Sequence, residues 1–252
     1  MLTEFDRSRY QRNVLVPGFG EKGQLLLAKA RVCLVGAGGL GSPVAYYLAA
    51  AGVGALGIVD SDRVELSNLQ RQILHGTTDV GRLKTESAAE RIAALNPDVA
   101  LQTIPERLTA ENAEAILSAY DVVVEASDNF ATKYLINDTC LVLRKPFATA
   151  GILSMSGQGM FVAPGQTACL RCVVAEPPEN VPTTAELGVL GAVPGILGSL
   201  EALEVIRYLT GYWKPSPNGE VLVHSVDGDG PRLRTMACPR RETCRCAPLW
   251  RD

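Results

Sequence analysis

A glycine-rich turn between an apolar strand and a helix restricts the fold of this sequence more than any other feature. Residues 31–35 (RVCLV) have the composition of a buried strand, and they lead directly into residues 36–41 (GAGGLG). Leu40, Val44 and Leu48 then repeat with helical spacing. Glycines at such a turn can serve packing alone. A G-x-G-x-x-G turn in this context also lets backbone N–H groups approach a phosphate at the helix N-terminus, so it predicts a nucleotide site.

Strands and helices alternate after this turn. Apolar strands are predicted at residues 55–59, 99–104 and 121–125, with helices near 88–95 and 110–119 between them. This alternation predicts an α/β fold with a doubly wound, mostly parallel sheet. Ligands of such sheets bind outside the carboxyl ends of the strands. Asp60 follows the second strand, where it could bond a ribose hydroxyl, and Asp128 and Asn129 follow the fourth.

The run from Val32 to Val59 contains no charged residue and is long enough to span a membrane. Glycines and Pro43 interrupt it, which favours a buried strand, turn, helix and second strand. The net charge of −3 and the pI of about 5.6 give no support for general binding to nucleic acid or to anionic lipid. The first residues lack the apolar segment of a signal peptide, so we expect a cytoplasmic protein with neither a nucleic-acid nor a membrane partner.

The second half of the chain differs in character. Residues 146–162 predict antiparallel strands, and residues 175–187 (AEPPENVPTTAEL) form a polar, proline-rich segment. A helix is predicted over 196–209, and two strands near Val221 and Arg232 precede a cysteine-rich tail.

The seven cysteines of a chain in a reducing compartment indicate core thiols, metal ligands or nucleophiles rather than disulfides. Cys169 and Cys172 form a C-x-x-C knuckle, and with Cys244 and Cys246 they would supply four thiolates to a structural zinc ion. Cys238 is the alternative fourth ligand, and free thiols in the tail or a redox pair are the competing interpretations. The remaining two cysteines, in predicted apolar elements, are interpreted as core residues: Cys33 and Cys140.

A polar stretch follows the second strand and does not belong to a plain dinucleotide-binding fold. Residues 60–72 read DSDRVELSNLQRQ, and residues 81–84 read GRLK. Arg71 and Lys84, together with the side-chain amides of this loop, could grip a triphosphate. Isolated basic residues on a loop are usually solvated. The prediction of triphosphate binding therefore rests on these cations and amides taken together.

These motifs resemble the ubiquitin-activating-type adenylyltransferases of the MoeB/ThiF type, which activate sulfur carriers for molybdopterin synthase and thiamine synthesis. The resemblance runs from residues 9–12 (RYQR) through GAGGLGS, SNLQRQ, GRLK and ASDN to the GSLEALE segment and the cysteine tail. It implies that residues 1–165 form an ATP-binding adenylation core with an N-terminal dimerisation segment. Residues 166–252 would bind zinc and the carrier and would include a crossover loop at 175–187.

The resemblance also implies residue roles. Arg71, Lys84 and Asp128 would be catalytic, and Arg12 would reach the partner's site in a homodimer. Asp128 would hold Mg2+. The implied ATP-binding residues are Gly36, Gly38, Gly39, Gly41, Asp60, Asp62, Ser67, Asn68, Leu69, Gln70, Arg71, Lys84, Asp128 and Asn129.

Two departures from the family pattern stand out. The second cysteine pair is C-x-C rather than C-x-x-C, which leaves the choice between Cys238 and Cys246 open. Several relatives carry a loop cysteine four residues before the glycine that corresponds to Gly188, where this chain has Thr184. No appended sulfurtransferase domain follows, so we expect a separate sulfur-donor protein. His75 could cap the site but is better interpreted as a structural histidine.

The resulting expectation is Mg-ATP-dependent adenylation of the C-terminal glycine carboxylate of a ubiquitin-like sulfur carrier, with release of pyrophosphate. A tRNA-modifying, carboxylate-activating dehydratase of the same superfamily is the nearest alternative. An NAD-dependent oxidoreductase would use the glycines and Asp60 but not Arg71 or Lys84. A zinc-stabilised adaptor without catalysis would have lost these phosphate ligands.

Overall fold

A single eight-stranded sheet organises the chain in this computed structural model, which describes residues 2–178, 181–228 and 232–250. The strands are β1 (Arg31–Val35), β2 (Ala55–Val59), β3 (Ala100–Ile104), β4 (Val122–Glu125), β5 (Phe147–Leu153), β6 (Ser156–Val162), β7 (Val221–Asp227) and β8 (Arg232–Cys238). The helices are α1 (Glu4–Val14), α2 (Gly20–Leu27), α3 (Gly41–Ala51), α4 (Lys84–Leu95), α5 (Ala113–Ser118), α6 (Phe130–Val142), α7 (Leu170–Val173), α8 (Thr184–Leu187) and α9 (Ala192–Leu209).

The sheet order is β3-β2-β1-β4-β5-β6-β7-β8, and it confirms the predicted fold class. β3, β2, β1, β4 and β5 pair in parallel, whereas β5 to β8 pair in antiparallel fashion. The chain crosses from β2 and β3 on one side of β1 to β4 on the other. The crevice outside the carboxyl ends of β1 and β4 is therefore the expected ligand position.

Helices cover both faces of the parallel part. One face packs Leu34, Leu56 and other apolar side chains beneath α3, α4 and α9. The opposite face packs Phe147 beneath α5 and α6. Each fully buried leucine or phenylalanine contributes about 1.5–3 kcal/mol to folding.

The uncharged run from Val32 to Val59 forms β1, the glycine turn, α3 and β2, as predicted. Among the described residues, no helix is long and apolar enough to cross a membrane.

Several element boundaries differ from the predictions. The last helix begins at Ala192 rather than near residue 196, because Pro194 lies in its first turn, where the missing N–H costs no helical hydrogen bond. α5 is confined to Ala113–Ser118, and α6 was not predicted. In the proline-rich segment 175–187, residues 179–180 lie outside the described residues.

Candidate active site

The glycine turn lies between β1 and α3 and is tightly packed. Gly36 has a φ of +100°, and a Cβ there would lie 2.7 Å from the carbonyl oxygen of Ala126. A Cβ on Gly41 would lie 1.9 Å from the carbonyl oxygen of Gly36. Only glycine fits at these two positions, so the turn can pass close to the end of β4 and open α3 directly onto a cavity.

Asp60 buttresses this turn from the end of β2. One carboxylate oxygen accepts the N–H of Ala37 at 2.8 Å, and the other accepts the N–H of Asp62 at 2.8 Å. The side chain also lines the cavity. Its position fits the predicted contact with a nucleotide, and its hydrogen bonds show a second role in fixing the turn.

Lys84 lies at the start of α4 and is only 6% exposed. Its ammonium is 2.9 Å from a carboxylate oxygen of Asp62, and both residues line the cavity. Arg71 also lines the cavity, with its guanidinium donating to the carbonyl of Ser67 at 3.2 Å. Two cationic side chains from separate parts of the chain therefore line the same cavity as the glycine turn.

Asp128 and Asn129 lie in the segment between β4 and α6. The Asn129 side chain caps α6 by accepting the N–H of Thr132 at 2.9 Å. The Asp128 carboxylate is exposed, lines the cavity and has no hydrogen bond or ion pair with any described residue. An unpaired carboxylate oxygen of this kind suits a hard cation such as Mg2+.

A buried ion pair lies behind Asp128. The Lys133 ammonium is 2.7 Å from a carboxylate oxygen of Glu125, and Lys133 lines the cavity. Sequence reasoning missed both residues. A signal was present, because Glu125 follows Val123 on the inward face of a buried strand, and a carboxylate there requires a partner.

The cavity has a volume of about 520 Å3, and its lining residues are of two chemical kinds. The charged side chains described above line it together with the glycine turn. Residues of β5, of β6 and of the segment around Thr184 also line it, as do apolar residues that include Met160, Leu170 and Val173.

Some predicted site residues lie away from this cavity in the single chain. Gly36, Gly38 and Gly39 line it, but Gly41 is packed inside the turn. The four residues before Arg71 do not line it: Ser67, Asn68, Leu69 and Gln70. Gln72, which sequence reasoning passed over, does line it, and its buried side-chain oxygen has no partner among the described residues.

Arg12 also lies outside the cavity, in the last turn of α1. It is exposed, and it has no hydrogen bond or ion pair with the described residues. The single chain therefore leaves this guanidinium available to another molecule.

Four of the cysteines form a compact cluster. The sulfur atoms of Cys169, Cys172, Cys244 and Cys246 all lie within 4.8 Å of one another. Three of the separations are 3.4, 3.5 and 4.0 Å, close to the edge of about 3.8 Å expected for a tetrahedron of thiolates with Zn–S bonds of about 2.3 Å. The donor set therefore fits zinc. Cys238 lies outside the cluster, which favours Cys246 as the fourth ligand.

The other candidates for chemistry have structural roles. His75 is buried, with one ring nitrogen 2.9 Å from the hydroxyl oxygen of Ser87 and the other 2.9 Å from the carbonyl oxygen of Ala37. Burial lowers its pKa. Cys33 and Cys140 lie in the core, and burial raises the pKa of Cys33 to about 12. These residues fit the structural interpretation rather than a nucleophilic one.

A family model described as the ThiF family matches residues 10–246, which is nearly the whole chain. The chain belongs to the ThiF family.

Curated relatives of this ThiF-family chain include the sulfur carrier protein adenylyltransferase of Thermus thermophilus, which is 44% identical over 257 residues. That match covers 99% of the chain and 95% of the relative. The adenylyltransferase and sulfurtransferase MOCS3 of Drosophila willistoni is 42% identical, with 100% of the chain and 56% of the relative covered. The chain thus spans just over half of that MOCS3. Its family and these relatives identify the ThiF-family chain as an adenylyltransferase.

Solved structures of E. coli MccB share the fold of this ThiF-family chain. The complex described as MccB with ATP has a TM-score of 0.81 at 24% identity, covering 97% of the chain and 75% of MccB. A complex with MccA-N7isoASN has a TM-score of 0.84 at 22% identity, covering 96% of the chain and 74% of MccB.

Proposed function

We propose that this chain uses Mg-ATP to adenylate the C-terminal glycine carboxylate of a small ubiquitin-like sulfur carrier, with release of pyrophosphate. The observation that carries the proposal is the mixed lining of one cavity. The glycine turn, Arg71, Lys84 and the unpaired Asp128 supply its polar lining. Apolar residues that include Met160, Leu170 and Val173 line the same cavity, where an extended protein tail would contact them. Residues 1–165 would supply the ATP site, and residues 166–252 the zinc site and the carrier contacts.

In this reaction a carboxylate oxygen of the carrier attacks the α-phosphorus. A new P–O bond forms while the bond from the α-phosphorus to the bridging oxygen breaks, and pyrophosphate leaves. No side chain of the enzyme need act as nucleophile. Arg71 and Lys84 offset the charge that develops on the phosphates. The glycine turn holds the phosphates in line for attack.

The charges that line the cavity favour two further cations. Among the described residues, four basic and four acidic residues line it: Asp60, Asp62, Arg71, Lys84, Glu106, Arg107, Asp128 and Lys133. The single chain thus provides little net positive charge for a triphosphate. Asp128 would hold Mg2+, which when bound neutralises phosphate charge. Arg12 of the second subunit of a homodimer would supply the other cation.

Thr184 lines the cavity, at the position where the family resemblance implies a cysteine in several relatives. Its hydroxyl is no substitute for a thiol in sulfur transfer, so a separate donor protein would bring the sulfur to the acyl-adenylate. The cysteine cluster would hold structural zinc, since all four ligands come from the protein and leave no open position.

Carrier-dependent ATP–pyrophosphate exchange tests the proposal. Arg71→Ala and Lys84→Ala should each lower exchange by about a hundredfold, because each removes a cation that faces the phosphates. Arg63→Ala is the matched control, since Arg63 is exposed on the same loop and does not line the cavity. A carrier that lacks its terminal glycine should give no exchange. Exchange within threefold of the unmodified enzyme in both active-site variants would refute the proposal.

Measurements of nucleotide binding and of ATP turnover separate the alternatives. An NAD-dependent oxidoreductase would retain NAD rather than ATP. A tRNA-modifying dehydratase would show ATP turnover stimulated by tRNA rather than by a carrier protein.

A further inference from the structure

We infer that Lys133 and Glu125 are positioning residues, which hold the Ser127-Asp128 turn in place for the adenylation proposed above and set how well the site takes Mg2+. The inference rests on that proposed function for its chemistry. Its geometry rests on a closed network of hydrogen bonds in the wall of the cavity.

The Lys133 ammonium has all three of its N–H groups occupied. It donates to Glu125 at 2.7 Å, to the carbonyl of Ser127 at 2.9 Å and to the carbonyl of Ala150 at 2.5 Å. An ammonium has three donors and no acceptor. Lys133 is only 7% exposed, and although it lines the cavity it has no donor left for a phosphate. It therefore acts through the groups that it holds.

Glu125 is fully buried and accepts four hydrogen bonds. One carboxylate oxygen accepts the N–H of Ser127 at 2.9 Å and also its hydroxyl. The other accepts Lys133 and the hydroxyl of Thr149, the latter at 2.6 Å. Two carboxylate oxygens offer about four acceptor sites, so this carboxylate is fully satisfied. A complete buried network of this kind specifies a single arrangement.

The network joins the elements that frame Asp128. Glu125 ends β4, Thr149 and Ala150 belong to β5, and Lys133 belongs to α6. The backbone of Ser127 is bound from both sides, because Glu125 accepts its N–H and Lys133 donates to its carbonyl. Asp128, by contrast, has no side-chain partner among the described residues, so its position depends on this backbone.

The pair can be removed without leaving a buried charge behind. Loss of one partner alone would leave the charge of the other buried and unpaired, which is strongly destabilising. Replacement of both by apolar groups of similar volume is often neutral or stabilising. The double variant Lys133→Met/Glu125→Met therefore tests positioning separately from stability.

The test measures ATP binding by calorimetry and pyrophosphate exchange, each over a range of Mg2+ concentrations, together with the unfolding midpoint. Substitutions behind a metal ligand typically lower metal affinity by 10–100-fold. We expect the double variant to unfold within a few degrees of the unmodified protein and to need at least about tenfold more Mg2+ for half-maximal ATP binding. Glu125→Gln, which keeps the shape of the side chain, should change Mg2+ dependence in the same direction.

Lys145→Met is the matched control. The Lys145 ammonium donates to the carbonyls of Ser118 and Tyr120, ahead of the opposite end of β4, and it does not line the cavity. This variant should keep the normal Mg2+ dependence.

The outcomes separate the two proposals. A folded double variant, or a folded Glu125→Gln protein, with half-maximal Mg2+ within twofold of normal would overturn the positioning role. Mg2+-dependent ATP binding without exchange for any carrier would overturn the proposed function, while the Mg2+ titrations of ATP binding would still decide the positioning role. An unmodified protein that binds no ATP with Mg2+ would overturn both.

Discussion

Replacing Glu201 with glutamine should remove a large pH dependence from the stability of this protein. Glu201 lies on α9 and is 3% exposed, and neither of its carboxylate oxygens has a hydrogen-bond partner among the described residues. Burial raises its pKa well above the ordinary value of 4.5, and the charge of Glu125 raises it further, while Lys133 partly offsets these effects. The folded protein thus favours the protonated form of this side chain.

The sign and size of the effect follow from proton linkage. Above pH 4.5 the unfolded chain releases this proton, whereas the folded chain keeps it up to its raised pKa. The contribution of the protonated Glu201 side chain to stability is therefore fully present below pH 4.5, and it is lost as the pH rises toward the folded-state pKa. Between pH 4.5 and the folded-state pKa of Glu201, the free energy of unfolding falls by about 1.4 kcal/mol for each pH unit. Two such units are a substantial fraction of the roughly 5–15 kcal/mol that stabilises a typical domain.

Urea unfolding from pH 5 to 8, at fixed protein and zinc concentrations, measures this effect. The difference in free energy of unfolding between Glu201→Gln and the unmodified protein isolates the contribution of Glu201, because the contributions of the other titrating groups are common to both proteins and cancel. It should grow in favour of the variant by about 1.4 kcal/mol per pH unit until the folded-state pKa is reached. Glu204→Gln is the control, since Glu204 lies on the same helix but is ion-paired with Arg207. A difference curve that stays flat across the range would refute the reasoning.

Three further predictions concern other parts of the molecule. The protein prepared without chelator should contain about one zinc per chain, and Cys246→Ser should lose it and lower the melting temperature while Cys238→Ser retains it; metal analysis showing no zinc in the unmodified protein would exclude the site. Thr184→Ala should leave exchange nearly intact, so a large loss would reveal a role for the hydroxyl. Mixed Arg12→Ala and Asp128→Ala subunits should recover roughly a quarter of normal activity after random exchange, because one of two sites in each heterodimer is then complete. No recovery, once mass spectrometry shows heterodimers, would rule out a shared site.

The sequence predicted the parts of the fold that local patterns encode. Residues 31–35 and 55–59 are strands with the predicted bounds. A short apolar run that is bounded by glycine is typical of a buried strand, so the local pattern was sufficient to predict both. α6 escaped prediction because its buried face includes Lys133 and Asn137, which break the apolar period that reveals a helix.

The candidate site also contains residues that local motifs predict and residues that only the fold brings together. The glycine turn, Asp60 and Lys84 were predicted from motifs, and the structure places them at one cavity. The Glu125–Lys133 pair depends on how β4 and β5 align with α6, which no local pattern specifies. The Asp60 carboxylate likewise contacts Ala37 only because β1 and β2 end side by side.

The continuity of the sheet bears on how the chain can be cut for study. β6 pairs with β5 on one side and, from Gly157 to Met160, with β7 on the other. A fragment that stops at residue 165 would expose this edge of β6 as unpaired N–H and C=O groups, which invite association with other strands. It would also remove α9, which packs under α3, β5 and β6. A shortened nucleotide-binding half would therefore be prone to aggregation, and ATP-site studies are better made on the whole chain.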